Sequence, residues 1–198
     1  MTLQPRISLK DKKYDTCIFL AALLVLSLFM TCWTGPLSTY AGHDYYFNFI
    51  RFEALVTALR NGSYPYYIDY SILDGYGYFV KAFYPDLTLL PFAFIGLYAG
   101  AGFAYSFMIF TMTFLCGWFM YLAVKSIFKN RIVASFSSIL YTFSVYHFFD
   151  WYNRAALGEA ISFTFLPVIC LGLYHIITGD YKKWYFLTIG YSLLIYTH

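Results

Sequence analysis

The sequence predicts an all-α fold, a polytopic transmembrane helix bundle with about five spans and a long first external loop that carries interfacial helices. Three observations carry that reading. The chain is 61% hydrophobic and 24% aromatic with only 12% charged residues, more apolar surface than a soluble domain of 198 residues has core to bury. Apolar runs of bilayer-crossing length recur at Cys17 to Trp33, Ala104 to Val124, Ile132 to Phe149 and Ala160 to Ile177. The basic residues, finally, gather in short turns between those runs.

The elements follow in order. Arg6, Lys10, Lys12 and Lys13 precede the first run and make residues 1–15 a cytoplasmic tail. A cleaved signal peptide ending at Thr39-Tyr40-Ala41 is the alternative. The apolar stretch is long for such a peptide and that site lies well beyond its end, so a retained first span fits better. Residues 35–102 then form an external region. Its last piece, Leu89 to Ala99, is short, holds Pro91 and Gly96 and starts beside Asp86, whose placement in mid-bilayer would cost on the order of 3 kcal/mol. Read as a span, it would put Lys125, Lys129, Arg131, Lys182 and Lys183 outside. Read as interfacial or re-entrant, it returns both basic turns to the cytoplasm. The spans over 103–198 then alternate: 104–124 inward, 132–149 outward, 160–177 inward, and Trp184 to Tyr196 outward. Because that last run is still apolar at His198, the expectation is one membrane domain over 1–198, the N-terminal part of a longer protein. The expected setting is the plasma membrane, with no nucleic-acid partner; oligomeric state is not legible.

On this map His43, Asp44, Asp86, Asp150, Arg154, Glu159 and His198 all fall on or near the outer side. Asp44 to Arg60 reads as a helix with two polar stripes. At 100° per residue Asp44, Asn48 and Arg51 share one face, and Glu53, Thr57 and Arg60 lie nearly opposite. One stripe meets water and the other a polar cavity in the protein. Asp44 has two readings: a carboxylate capping the helix N-terminus, or a functional group at the cavity. Asp150 and Arg154, four apart, are either an interfacial cap for the next span or a working pair in which the guanidinium fork suits a phosphate. The tyrosine-rich stretch Tyr64-Pro65-Tyr66-Tyr67 fits an interfacial anchor better than a platform for sugar rings. His147 and His175 lie within spans and read as hydrogen-bonded packing residues. Cys17, Cys32, Cys116 and Cys170 read as small packing residues, with no metal or disulfide spacing.

Taken together, Gly42-His43-Asp44 with Asn48 and Arg51, Gly75-Tyr76-Gly77 with Phe83-Tyr84-Pro85, and Asn153-Arg154-Ala155 with Gly158-Glu159 resemble a known pattern. They are similar to the GT-C superfamily of polytopic glycosyltransferases, and more closely to bacterial YfhO-type proteins and membrane proteins with a pyruvoyl-tetrahydropterin-synthase-related domain. Asn48 stands where that group often has histidine. The resemblance implies transfer of a sugar from a polyprenyl-phosphate carrier to an envelope acceptor at the outer face. It makes Asp44 the catalytic base, and His43, Asn48, Arg51, Tyr84, Arg154 and Glu159 substrate-binding residues. Asp86 or Asp150 would hold a divalent cation, Mg or Mn, if one is used. A transporter or flippase and a non-catalytic scaffold are the rival readings. Transport predicts ionisable groups near mid-span, and here they cluster at the surface.

Overall fold

The computed structural model describes residues 9–33 and 42–197, with side chains for 15–32 and 42–197. Arg6, the side chains of Lys10, Lys12 and Lys13, the stretch Thr39-Tyr40-Ala41 and His198 lie outside those residues. Eight α-helices make up the described chain: α1 Leu9–Trp33, α2 Tyr45–Arg60, α3 Leu90–Ala99, α4 Ala101–Phe128, α5 Arg131–Thr142, α6 Val145–Tyr152, α7 Leu157–Ile177 and α8 Tyr185–Ile195. Among the described residues the one extended pairing is an isolated antiparallel bridge between Asp69 and Tyr78.

Four stretches are long and apolar enough to cross a membrane: Asp15–Cys32, Ala101–Phe128, Arg131–Tyr152 and Leu157–Ile177. Half of the α4 and α7 stretches is buried, against 17% and 22% for the α1 and α5–α6 stretches, so α4 and α7 form the centre and the others wrap them. The outer faces stay apolar, with Ile18, Val25, Ile132 and Phe136 all exposed. A bilayer is the environment those faces suit. Polar side chains fasten helix to helix through carbonyls: Ser138 Oγ donates to Gly117 O at 2.6 Å, Thr164 Oγ1 to Met112 O at 3.1 Å and Tyr141 OH to Phe163 O at 2.9 Å. At Gly172 the α8 backbone comes so near that an added Cβ would lie 2.4 Å from Leu187 N, which lets α7 and α8 pack with almost no gap.

Two details depart from the expectation. The run 132–149 is not one continuous helix. It breaks at Phe143–Ser144, where Ser144 Oγ accepts the His147 amide and caps α6. His147 is buried there, 2.8 Å from Thr142 O through Nδ1 and receiving the Trp151 indole N–H at Nε2 (3.0 Å), so it sits among partners as the packing reading expected. The last apolar run forms an 11-residue helix, α8, about 16 Å long and short of the roughly 30 Å hydrocarbon core. Within the piece 89–99, Leu89 caps the ten-residue α3, which is about half a bilayer in length. At Gly100 (φ 87°) the chain doubles back into α4, and Gly96 and Ala104 face each other across that turn.

The bundle has two chemically different ends. At one, Arg131 Nη1 reaches Thr16 Oγ1, Lys125 stacks over Tyr121, and Lys129 and Lys183 act on His175. At the other, Tyr152 OH donates to Met30 O near the end of α1, and α2 packs on the start of α4 through Tyr45 and Phe49 against Tyr105. The larger core cluster, built on Phe52, Leu55, Met108, Trp151 and Ile161, supports this second end.

Candidate functional site

At that second end the sequence brings Gly42-His43-Asp44 against Asn153-Arg154-Ala155. The two strips join backbone to backbone: His43 N donates to Asn153 O (3.1 Å) and Asp44 N to Arg154 O (2.9 Å). Gly42 makes the approach possible, since a Cβ there would stand 2.7 Å from Asn153 O and 2.9 Å from the Ala155 Cβ. Asn48, one helical turn into α2 and 5% exposed, clamps the junction from below, its Nδ2 donating to Ala155 O (2.9 Å) and to Asp44 O (3.1 Å). Ala155 is held at φ 53°, a left-handed conformation costly for a residue with a Cβ and a pattern that collects at working sites.

Asp44 occupies the N-cap position of α2, yet its side chain makes no capping hydrogen bond and is exposed. The carboxylate therefore has no duty in holding the helix end. Across the cleft, Arg154 is fixed along one edge. Its Nη1 meets Asp150 Oδ1 (3.0 Å), Glu159 Oε2 (2.9 Å) and the Tyr146 hydroxyl (3.4 Å), and Tyr146 in turn donates to Glu159. Among the described residues the contacts of the guanidinium run through Nη1, and the side chain is 41% exposed, so the edge formed by Nε and Nη2 is open to a ligand. Carboxylate neighbours, Glu159 foremost, hold the guanidinium's pKa above its usual value, so it stays charged.

Asp44, Asn48, Tyr84, Arg154 and Glu159, with Phe47, surround one cleft of about 140 Å³. Five of the residues expected to act together thus share a cavity. The others do not reach it. His43 is exposed beside the cleft and Asp150 is sealed beneath Arg154. Arg51 is 2% exposed and lies behind Tyr84, its guanidinium carbon 4.9 Å from that ring's centroid, with Nε and Nη1 unpartnered. Burial lowers its pKa. The two-stripe reading of α2 holds in this form: Glu53, Thr57 and Arg60 are exposed, and Asn48 and Arg51 are enclosed by protein.

Asp86 pairs with Lys81, and Asp150 with Arg154, so the two acids expected at a metal belong to different ion pairs. No group of three metal-type ligands forms among the described residues. Held in separate ion pairs, these acids do not fit a metal centre. Lys81 escaped the sequence reading because no helical periodicity links it to Asp86 across a loop. Tyr146, Phe47 and Tyr66 were likewise hidden among many aromatic residues. A separate apolar groove of about 450 Å³ between α4, α7 and α8 opens toward the basic end and carries no carboxylate. Comparison of the chain with protein-family models, curated proteins and solved structures returns no match.

Proposed function

We propose that this chain is the catalytic N-terminal part of a GT-C-like membrane glycosyltransferase, moving a sugar from a polyprenyl-phosphate carrier to an envelope acceptor. The observation that carries the reading is the cleft itself: an uncommitted carboxylate, Asp44, faces a half-free guanidinium, Arg154, across a space of about 140 Å³. The cleft lies at the end of the bundle away from the basic turns, and the excess of Lys and Arg in those turns supports a cytoplasmic side for them. The cleft is then extracytoplasmic, in a plasma membrane, with α8 as the start of a fifth span.

The reaction needs two groups of this kind. The acceptor oxygen attacks the anomeric carbon as its proton passes to an Asp44 carboxylate oxygen. The bond from the anomeric carbon to the phosphate oxygen breaks, and its electron pair leaves with the carrier phosphate. Nε and Nη2 of Arg154 receive that phosphate while Asp150 and Glu159 hold the guanidinium in place. Asn48 does not touch substrate in this scheme; it locks α2 to the Arg154 loop and so sets the spacing of base and fork. Tyr84 and Phe47, 5.2 Å apart between ring centroids, form the apolar wall.

The test compares the envelope-glycan profile of cells carrying the full-length protein with that of cells carrying Asp44→Asn at equal membrane abundance. Loss of one sugar modification is the expected result. An unchanged profile removes the base assignment and turns the reading toward transport or scaffolding.

A further inference from the structure

A second cavity lies between the later turns of α2 and the loop 61–71 that follows it. It measures about 610 Å³ and shares no lining residue with the cleft. We propose that it binds an organic cation carrying a primary ammonium group.

The charge of the lining has one sign. Glu53 and Asp69 border the space, and no lysine, arginine or histidine does. The neighbouring cations stand outside it: Lys81 is paired with Asp86, Arg51 is enclosed behind Tyr84, and Arg60 is exposed at the end of α2. Asp69 is only 4% exposed, and its backbone is held by two hydrogen bonds with Tyr78, each 2.9 Å. Its Oδ1 accepts the Ser71 amide (2.9 Å) and the Ser71 hydroxyl. Its Oδ2 is buried with no hydrogen-bond partner among the described residues. A buried carboxylate oxygen without a donor is costly, and an N–H group entering the cavity removes that cost.

Size and lining select the kind of cation. A bare metal ion would leave most of about 610 Å³ empty and would find only two carboxylates, whereas the volume suits a small organic molecule. Tyr66 and Tyr70 also line the cavity, and aromatic rings attract cations to their faces. The Tyr66 ring already carries one ammonium, that of Lys81, 4.1 Å from its centroid. Oδ2 of Asp69 then separates the amines. It requires a hydrogen on nitrogen, which a primary ammonium has and a trimethylammonium lacks. Such an ammonium occurs on ethanolamine lipid headgroups and on soluble amines alike. This inference goes beyond the transfer reading and does not rest on it, since Asp44 and Arg154 take no part.

The test is saturation-transfer-difference NMR on the full-length protein in a non-ionic detergent, titrating ethanolamine as probe with choline and ethylene glycol as controls. Wild type is expected to transfer saturation to the methylene protons of ethanolamine and not to either control. Asp69→Asn keeps an acceptor for Ser71 and removes the charge, and is expected to weaken binding roughly tenfold. Glu53→Gln, at an exposed position outside the core, is expected to weaken it roughly threefold at an unchanged melting temperature. No transfer to ethanolamine, equal transfer to choline, displacement of ethanolamine by equimolar calcium, or undiminished binding in both variants would each overturn the proposal. Repeating the titration in phosphatidylcholine nanodiscs with and without phosphatidylethanolamine identifies the source. Loss of the signal when that lipid is present marks a headgroup, and an unchanged signal marks a soluble amine. Binding is read in wild type and in Asp44→Asn alike, so it stands or falls separately from the transfer reaction.

Discussion

Replacing Gly42 with alanine adds one methyl group and no charge, at the point where the two halves of the cleft meet. That methyl would lie 2.7 Å from Asn153 O, 2.9 Å from the Ala155 Cβ and 3.0 Å from Ala155 N. Two of those three are backbone atoms, so no side-chain rotation relieves the contact, and the strips must separate by several tenths of an ångström. The separation falls on the bonds from His43 N to Asn153 O and from Asp44 N to Arg154 O. At about 1 kcal/mol each, the junction loses about 2 kcal/mol, which is roughly a 30-fold rise in the open population. Hydrogen exchange reads it directly. The amides of His43 and Asp44 should lose about that factor of protection, while amides in the middle of α4 stay unchanged. Unaltered protection at those two amides would refute the docking of the two motifs, and with it the geometry on which the transfer reading depends.

Two further outcomes follow. Arg154→Lys keeps the positive charge and removes the free edge of the fork, and should cut transfer on the order of 100-fold with little loss of stability, measured as product formed per folded protein. Finally, on a cysteine-free background, Tyr46→Cys should react with a membrane-impermeant maleimide added to intact cells, and Lys129→Cys only after lysis; the reverse pattern would invert the topology.

The helices and the cleft were legible in the sequence for different reasons. Span-length apolar runs are dictated by the solvent, so α1, α4 and α7 could be read from hydropathy alone. Asp44, Asn48 and Glu159 stood out because polar groups on a membrane-facing chain are few. Arg51 shows where this reasoning stops. Its helical angle places it on the stripe of Asp44 and Asn48, but angle says nothing of depth, and Tyr84 lies between it and the cleft. Asp86 looked like a free acid because its partner, Lys81, lies across a loop whose path only tertiary structure defines. The break at Ser144 was hidden because Thr142, Phe143 and Ser144 interrupt the apolar run too briefly for a hydropathy window.

The clamp between Asn48 and Ala155 joins residues 107 positions apart, with α3, α4, α5 and α6 between them. During synthesis, α2 leaves the ribosome long before the Asn153–Ala155 strip exists. Through that interval Asp44 has no Arg154 opposite it, and the cleft does not exist. The last piece needed to complete the cleft is the start of α7, with Gly158 and Glu159. The cleft is therefore assembled in one step, once the start of α7 has followed, and a chain halted before that point presents α2 without the strip it packs against.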